Sequence, residues 1–117
     1  KYSKERITFK KPIANFQAIQ FMLADMDIET EAARQTVIHA MQLIIAKRPY
    51  SREAAIAKCF AGDVAVKVAL DAIQVLGGYG YSREYPVEKL LRDAKIFQIF
   101  EGTNQIQRIV VAGNLLR

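Results

Sequence analysis

The stretch IFQIFEGTNQIQR, residues 96–108, contains a single acidic residue, Glu101, between an aromatic residue and a glycine. A carboxyl group that aromatic side chains desolvate has a raised pKa and can serve as a general base. Gly102 lets a ligand approach the backbone closely, and a helix that begins near Thr103 presents free N–H groups to an anion or a polarised oxygen. The pattern fits removal of a proton alpha to a carbonyl group. A solvated glutamate favoured by the helix dipole explains the same residues equally well.

Other residue types that support chemistry are sparse. His39 is the only histidine and Cys59 the only cysteine, so neither a zinc cluster nor a Ser/His/Asp triad can be assembled. We expect Cys59 to be a buried, unreactive thiol. The glycine-rich run at residues 77–80 lacks the Lys-Ser/Thr of a Walker loop, and a helix end followed by a turn is its simplest interpretation. No metal site is predicted.

The chain has 117 residues, of which 51% are hydrophobic, enough for one domain with a real core. Its net charge of +5 is spread along the chain and interleaved with acids, as in SREYPVEKLLRDAK. Nucleic-acid-binding proteins carry blocks of like charge or recognition motifs, whereas mild basicity serves equally well to hold phosphate-rich cofactors. No apolar run approaches the roughly 20 residues that cross a bilayer, and no signal-peptide pattern is evident.

Apolar residues recur at steps of three, four or seven along most of the chain, which predicts helices nearly throughout. Pro12 suits a first helical turn and Ser51 suits an N-cap, while the glycines after Leu76 mark a helix end followed by a loop. The predicted helices cover residues 12–47, 51–76, 86–95 and 104–116. No strand pattern stands out. The predicted fold class is all-α, an antiparallel helical bundle.

Helical periodicity also predicts which faces are buried. In the second helix, two rows at spacing four are expected to face the core: Ile56, Phe60, Val64 and Val68, and Ala57, Ala61, Ala65 and Ala69. A polar row lies opposite, in which the acid Asp63 stands four residues before the base Lys67: Asp63, Lys67, Asp71 and Gln74. In the last helix, the residues expected to point inward are Ile106, Ile109 and Val110.

The opening KYSKERITF resembles the last turns of a helix. It predicts that the chain is cut from a longer protein and that the first helix of its bundle is largely missing. Such a loss would expose an apolar groove, along the row Ile56, Phe60 and Val64 or along the row Ile19, Leu23 and Met26. This groove would drive self-association.

Read in order, these residues resemble the C-terminal helical domain of the acyl-CoA dehydrogenase family. The matching stretches are KERITFKKPI, FQAIQFMLADM, AIAKCFAGDVA, AIQVLGGYGYSREYPVEKLLRDAKI and IFEGTNQIQRIVVAGNLL, which cover essentially the whole chain. The GGYGY loop and the AGNLL ending are most similar to the short-chain or butyryl branch. The resemblance implies one C-terminal domain, residues 1–117, of a three-domain flavoenzyme.

The resemblance implies oxidation of acyl-CoA to trans-2-enoyl-CoA, a step of fatty acid β-oxidation, with FAD as cofactor and electron-transferring flavoprotein as acceptor. Glu101 matches the family's catalytic base, which takes the alpha proton while the beta hydrogen leaves as hydride to flavin N5. Its own N–H would help to hold the thioester carbonyl. Gly102 would lie against the substrate.

The FAD residues of the family also match positions in this chain. Arg6, Thr8 and Phe9 match the R-x-T-F segment, in which the arginine meets the flavin pyrophosphate. Four positions match contacts to the FAD of a neighbouring subunit: Gln17, Gln74, Gly77 and Gly78. Thr103 and Gln105 match contacts to the subunit's own FAD. The resemblance thus implies FAD shared across a homo-oligomer interface, usually in a dimer of dimers.

Three features depart from the family pattern: two residues, and the length of the chain, which is that of one domain. Lys10 stands where glycine is common, which puts the local turn in doubt, and Phe100 replaces a frequent tyrosine. The N-terminal helical and middle β domains are not part of the sequence, so we expect the isolated chain to be inactive. The family suits the bacterial cytoplasm or the mitochondrial matrix, without membrane or nucleic acid.

Two alternatives stay open. The first is a helical assembly module that kept the fold and lost the chemistry, although the intact EGT at Glu101 argues against it. The second is a nucleic-acid-associated relative of the same fold, which the net charge of +5 suggests and its scatter disfavours.

Overall fold

A computed structural model describes the whole chain, residues 1–117, as an elongated bundle of 58 × 24 × 24 Å. Its elements in chain order are α1 (Tyr2–Glu5), β1 (Ile7–Thr8), β2 (Lys11–Pro12), α2 (Gln17–Ile45), α3 (Ser51–Leu76), α4 (Val87–Ile96) and α5 (Asn104–Leu115). Short 3₁₀ helices precede α2 and α4, at Ile13–Asn15 and Gly77–Tyr81. The predicted all-α class is confirmed. No helix is long and apolar enough to cross a membrane.

The centre of the bundle is the pair α2 and α3. Lys67 of α3 donates a 2.6 Å hydrogen bond to Glu29 of α2, and Ala54, early in α3, lines a groove together with Ile44, late in α2. The two helices therefore run antiparallel. The buried residues on them are mostly small, which lets the helices approach closely: Ala33, Ala40, Ala55, Ala57, Gly62, Val64, Ala69 and Val75.

The predicted start of the first long helix at Pro12 is wrong, and so is the absence of strands. Pro12 lies in β2, which pairs antiparallel with β1 in the register Ile7 to Pro12. The two-residue turn between the strands has positive φ at both positions, 50° at Phe9 and 66° at Lys10. These angles are those of a type I′ hairpin turn. Lys10 is therefore strained where glycine would not be.

The helix ends also differ in detail from the predictions. Ser51 is the first residue of α3 rather than its N-cap, and no side chain caps that end. Residues 77–81 form a 3₁₀ helix rather than an irregular loop. At the end of α2, Lys47 has a φ of 54°, and the N–H of Arg48 reaches back to the carbonyl of Leu43 at 3.0 Å. This arrangement is a Schellman motif with lysine in place of the usual glycine.

The inward face of α5 is only partly the predicted one. Ile106 and Ile109 were expected inside, but they are 49% and 66% exposed. The less exposed side of α5 contains Asn104, which is buried, and four half-buried residues, Gln107, Val110, Val111 and Asn114, so Val110 alone agrees with the prediction. Polar amides occupy three of these positions, so apolar periodicity alone pointed to the wrong side of the helix. The rows of α3 are only partly buried as well, since Val64 is buried but Phe60 is 39% exposed.

Three tyrosines fasten α1 to the end of α3. The ring of Tyr2 makes edge contacts with those of Tyr79 and Tyr85 at 6.4 and 6.0 Å, and its hydroxyl donates to the carbonyl of Leu76 at 3.4 Å. Arg6, just beyond α1, lies over the Tyr79 ring at 5.5 Å. The aromatic cluster thereby brings Arg6 close to the glycines that follow α3.

Candidate active site

Glu101 lies at the tip of the connection between α4 and α5. Its φ is 55°, and that of Gly102 is 87°. Thr103 caps α5, because its hydroxyl accepts a 3.2 Å hydrogen bond from the N–H of Ile106. The backbone N–H groups of Glu101, Gly102 and Thr103 donate no hydrogen bond within the chain. Three unpaired N–H donors thus stand in succession at the residue that carries the carboxylate and at the two that follow it.

A groove of about 510 Å³ between α2 and α3 runs up to this tip. Ten of its thirteen lining residues are hydrophobic. Its walls come from the end of α2, the first half of α3 and the α4–α5 connection: Val37, Ala40, Met41, Ile44, Ala54, Ala57, Lys58, Ala61, Gly62, Ala65, Phe97, Phe100 and Glu101. This groove follows neither of the two predicted rows, because it is lined by the alanine row of α3 and by the C-terminal half of α2. A smaller apolar groove, of about 350 Å³, does lie along one predicted row, at Ile56 and Phe60, where α5 approaches α3.

The expected desolvation of Glu101 is not provided by this chain. Glu101 is exposed, and the aromatic rings beside it are only half covered, at 49% exposure for Phe97 and 42% for Phe100. The two rings pack edge-to-face on each other, with their centroids 5.4 Å apart. They form an apolar wall at the end of the groove rather than a lid over the carboxylate.

A polar cluster beneath the tip fixes the connection to α3. Asn104 is only 2% exposed. Its Nδ2 donates to Oδ1 of Asp63 at 2.8 Å and to the carbonyl of Cys59 at 3.0 Å, and its Oδ1 accepts from Nζ of Lys58 at 2.8 Å. Each donor of the buried amide is therefore used, as burial of a polar group requires.

Asp63 receives two further hydrogen bonds in the same cluster, from Nε2 of Gln98 at 2.7 Å and from Nη2 of Arg108 at 2.8 Å. Burial alone raises the pKa of Asp63, but the hydrogen bonds from Arg108, Asn104 and Gln98 outweigh it and hold the pKa below its ordinary value. Asp63 thus stays ionised at neutral pH.

The residues of this cluster were missed as a site by sequence reasoning. The sequence pattern places Asp63 in a polar row, four residues before Lys67, whereas in the structure Lys67 contacts Glu29 at 2.6 Å and Asp71 at 3.6 Å. Asn104 could have been noticed as a polar residue that opens an apolar helix. Cys59 is half-buried, with its thiol 3.7 Å from the Asn104 carbonyl, so it is less buried than predicted.

A second groove, of about 590 Å³, collects five of the residues predicted to bind a cofactor. They come from β1, the segment before it and the end of α3: Arg6, Thr8, Gln74, Gly77 and Gly78. A Cβ built on Gly77 or Gly78 would meet no atom within 4 Å, so the space above these glycines is open to a ligand. A guanidinium, a hydroxyl and an amide over open glycines fit a pyrophosphate group.

The other predicted cofactor residues lie elsewhere. Gln17 is exposed at the start of α2, and Phe9 is 86% exposed with its ring against that of Phe16. Thr103 and Gln105 stand with Glu101 and Gly102, beside Lys58 at the other end of α3. The 16 positions from Lys58 to Gln74 correspond to roughly 24 Å along α3. The predicted site residues therefore form two separate clusters. No group of three metal-ligating side chains is present.

Comparison with known proteins gives a family match over nearly the whole chain. Residues 1–116 match the family model described as acyl-CoA dehydrogenase, C-terminal domain. An acyl-CoA dehydrogenase of Bacillus subtilis is 55% identical over 98% of this chain and 30% of its own length. A short-chain-specific acyl-CoA dehydrogenase of Megasphaera elsdenii is 53% identical over 99% of this chain and 30% of its own length.

Solved structures give the same match. Butyryl-CoA dehydrogenase from Megasphaera elsdenii superposes with a TM-score of 0.97 at 52% identity, over 99% of this chain and 30% of that one. A chain from a study of the electron transferring flavoprotein of Acidaminococcus fermentans gives 0.97 at 57%, with the same coverage. The FAD complex of PigA gives 0.93 at 31%, over 97% of this chain and 30% of that one. The chain thus spans about 30% of the length of these relatives.

Proposed function

Because the chain belongs to the acyl-CoA dehydrogenase family, as a C-terminal domain of that family, we propose that it forms the base-bearing part of a longer flavoenzyme. That enzyme oxidises acyl-CoA thioesters, of the short-chain class, to trans-2-enoyl-CoA. The family match over residues 1–116 supports the reaction class. The short-chain enzyme and the butyryl-CoA dehydrogenase among the relatives support the substrate class. An N-terminal helical domain and a middle β domain complete the protein.

Glu101 is the proposed base. Its carboxylate is reachable at the end of the apolar groove, and its own N–H and those of Gly102 and Thr103 are unpaired. A thioester carbonyl that accepts a hydrogen bond from the N–H of Glu101 becomes a better electron acceptor, which acidifies its alpha carbon. The Glu101 carboxylate then takes the alpha proton. Gly102, without a side chain, lies against the substrate.

FAD is the proposed cofactor, and when bound it would supply the acceptor for the hydride that leaves the beta carbon. Arg6 and Thr8 would hold its pyrophosphate in the second groove, beside Gln74 and the open glycines Gly77 and Gly78. Arg6 and the open space above the two glycines fit that group, although Glu84 also lines the groove. Phe9, in the hairpin turn, and Gln17, at the start of α2, lie outside this groove and are proposed to contact FAD only from the resemblance to the family. The FAD complex of the related PigA supports the choice of cofactor.

The roughly 24 Å between the two clusters supports the sharing of each FAD by two copies of the chain. Thr103 and Gln105 would contact the flavin of their own subunit, and Gln74 that of a neighbour. A two-fold interface repeats such a contact on both subunits. We therefore propose a homo-oligomer, a dimer of dimers.

Electron-transferring flavoprotein is the proposed electron acceptor, which the match to a chain from the Acidaminococcus study supports. The bacterial cytoplasm or the mitochondrial matrix is the proposed location.

The reachable carboxylate among unpaired N–H groups carries this proposal, and Glu101→Gln in the complete protein tests it. Butyryl-CoA is added under anaerobic conditions, and bleaching of the flavin's visible absorbance is followed. We expect the variant to keep its FAD and to bleach about 100-fold or more slowly, since loss of a general base costs that much. Glu88→Gln is the matched control, because Glu88 pairs only with Arg92 on α4.

Bleaching at the parent rate in Glu101→Gln would place the base elsewhere. If the parent bleaches with no acyl-CoA of any chain length, the dehydrogenase proposal fails and the assembly module takes its place.

A further inference from the structure

We propose that Asp63 is a positioning residue for the base: it fixes the loop that carries Glu101 by binding both ends of that loop. The inference rests on the proposed role of Glu101. Asp63 touches neither substrate nor cofactor in this scheme. It acts on the reaction only through the place that it gives to the Glu101 carboxylate.

The two ends of the loop converge on one oxygen atom. Oδ1 of Asp63 accepts from Nε2 of Gln98 at 2.7 Å and from Nδ2 of Asn104 at 2.8 Å. The N–H of Asn104 also donates to the carbonyl of Gln98 at 3.0 Å, which closes the loop at its base. Residues 99–103, with Glu101 in the middle, therefore form a closed loop whose two ends both bind the Asp63 side chain of α3.

The contact that Oδ2 of Asp63 makes fixes the orientation of the whole carboxylate, including Oδ1. Oδ2 accepts from Nη2 of Arg108 at 2.8 Å, and Nη1 of Arg108 donates to the carbonyl of Asn104 at 3.1 Å. Arg108 thus spans Asp63 and the start of α5. With both oxygens engaged, the carboxylate has little freedom to rotate, and Oδ1 stays directed at Gln98 and Asn104.

The loop rests directly on the backbone of α3. A Cβ on Gly62, the residue before Asp63, would come within 3.2 Å of Nδ2 of Asn104 and within 3.2 Å of the carbonyl of Phe97. Because the loop and α3 are in such close contact, we expect loss of a hydrogen bond between them to shift the loop rather than to leave an empty space. A displacement of about 1 Å in a reacting group can slow a reaction by roughly 100-fold.

The backbone of the loop makes this anchoring necessary. Glu101 has a φ of 55°, in the left-handed region that non-glycine residues seldom adopt. Such a conformation persists where the surrounding structure enforces it. The tip itself makes few contacts, since Glu101 and Gly102 are both exposed. Apart from a 3.3 Å hydrogen bond from Gln107 to the Gly102 carbonyl, the contacts that can enforce it are at the base of the loop, and Asp63 is the residue that binds both ends.

Asp63→Asn in the complete protein tests the proposal, because it keeps the shape of the side chain and replaces one oxygen by an N–H donor. Asp71→Asn is the matched control: Asp71 lies on the same helix and pairs with Lys67 at 3.6 Å. Gln98→Ala removes one of the two hydrogen bonds that Oδ1 of Asp63 accepts from the ends of the loop. It is the second variant to measure if Asp63→Asn fails to fold.

Two readouts are measured in each variant. Amide hydrogen exchange reports the order of residues 98–104 without any use of the reaction. Flavin bleaching by butyryl-CoA, with and without deuterium at the alpha carbon, reports removal of the alpha proton. We expect Asp63→Asn to speed exchange in the loop, to slow bleaching by about 10- to 100-fold with KM and flavin content retained, and to enlarge the deuterium isotope effect. Asp71→Asn should change none of these.

Unchanged exchange in residues 98–104 would overturn the proposal, and so would faster exchange with unchanged bleaching and isotope effect. A uniform loss of flavin and of global stability, equal in Asp63→Asn and Asp71→Asn, would also overturn it, because the effect would then be general. If the parent protein shows no bleaching at all, the proposed function fails, and the exchange data alone decide whether Asp63 anchors the loop.

Discussion

Asp63 and Asn104, 41 positions apart in the sequence, share a 2.8 Å hydrogen bond between Oδ1 and Nδ2. It joins the middle of α3 to the first residue of α5, immediately after the Glu101-Gly102-Thr103 tip. Asn104 is almost fully buried at this point, with 2% exposure. The buried contact is therefore polar where the bundle would otherwise pack with apolar side chains, and it lies directly beneath the proposed base.

The ionised state of Asp63 predicts a pH dependence of stability. Hydrogen bonds from Arg108, Asn104 and Gln98 hold its pKa in the folded protein below the ordinary value of 3.8. A lowered folded pKa gives stabilisation that is present above the unfolded pKa and is lost as the pH falls through the folded one. We expect Asp63→Asn to lack this loss.

The check is the urea midpoint of the parent and of Asp63→Asn between about pH 6 and pH 2. Below about pH 4, the urea midpoint of the parent should fall more steeply with decreasing pH than that of Asp63→Asn. The difference should be about 1 kcal/mol or less, because the Arg108 and Asp63 side chains are 58% and 39% exposed and solvent screens the pair. Parallel curves would show that Asp63 gains nothing from its partners.

Asn104→Ala should destabilise the fold by about 2 kcal/mol. The change leaves Lys58 without its acceptor and removes a donor from both Asp63 and the Cys59 carbonyl. Asn114→Ala is the matched control on the same helix, because the Asn114 amide bonds only to the carbonyl of Val110, one turn earlier. Its effect should stay within about 0.5 kcal/mol.

Chemical denaturation of both asparagine variants checks this difference. Equal losses in the two would contradict a special role for the buried amide.

Much of the fold could be predicted from the sequence, because the apolar periodicity of long helices and the glycine and proline residues at their ends are visible in it. The end of α3 at Leu76 and the bounds of α4 and α5 agree with the structure within one or two residues. The start of α2 could not be predicted from Pro12, because a proline at a first helical turn and a proline at the end of a short strand look alike locally. Pairing with Ile7 decides between them.

The site was predictable in part for the same kind of reason. The EGT motif led to Glu101 and to the start of α5 at Asn104. The partner of Asn104 could not be found, because Asp63 fits equally well into a solvated i, i+4 pair with Lys67. Only the approach of α5 to α3 shows which face Asp63 occupies. The predicted desolvation of Glu101 depended on the aromatic residues next to it in the sequence. In the structure, Phe97 and Phe100 pack on each other rather than over the Glu101 carboxylate.

Glycine substitutions in two helices should have opposite effects. Gly113→Ala in α5 should raise the free energy of unfolding by about 1 kcal/mol, because alanine favours a helix and its Cβ would meet nothing within 4 Å. Gly62→Ala in α3 should lower it by about 1 kcal/mol. Its Cβ would lie 3.2 Å from both the Phe97 carbonyl and the amide of Asn104, and both are held by other contacts.

Thermal unfolding of the two alanine variants measures this contrast. A gain of stability in Gly62→Ala would mean that the loop can move away from α3 at little cost. That result would also weaken the inference that the loop is fixed there.

Lys10→Gly should raise the free energy of unfolding by about 1 kcal/mol. Lys10 sits at φ 66° in the second position of the hairpin turn, where an L side chain is strained and glycine is not. Lys11→Gly is the matched control at the next residue. Lys11 pairs in β2, and its Nζ lies 4.3 Å from the centre of the Phe16 ring, so its loss should lower stability.

Thermal midpoints of the two glycine variants should therefore move in opposite directions. A lower midpoint in Lys10→Gly would mean that the Lys10 side chain makes a contact stronger than the strain it imposes. Because the hairpin joins Arg6 and Thr8 to the start of α2, a tighter turn should also hold these two residues more firmly beside Gln74. FAD retention by the complete protein during dialysis measures that second effect, and we expect it to rise in Lys10→Gly and to fall in Lys11→Gly.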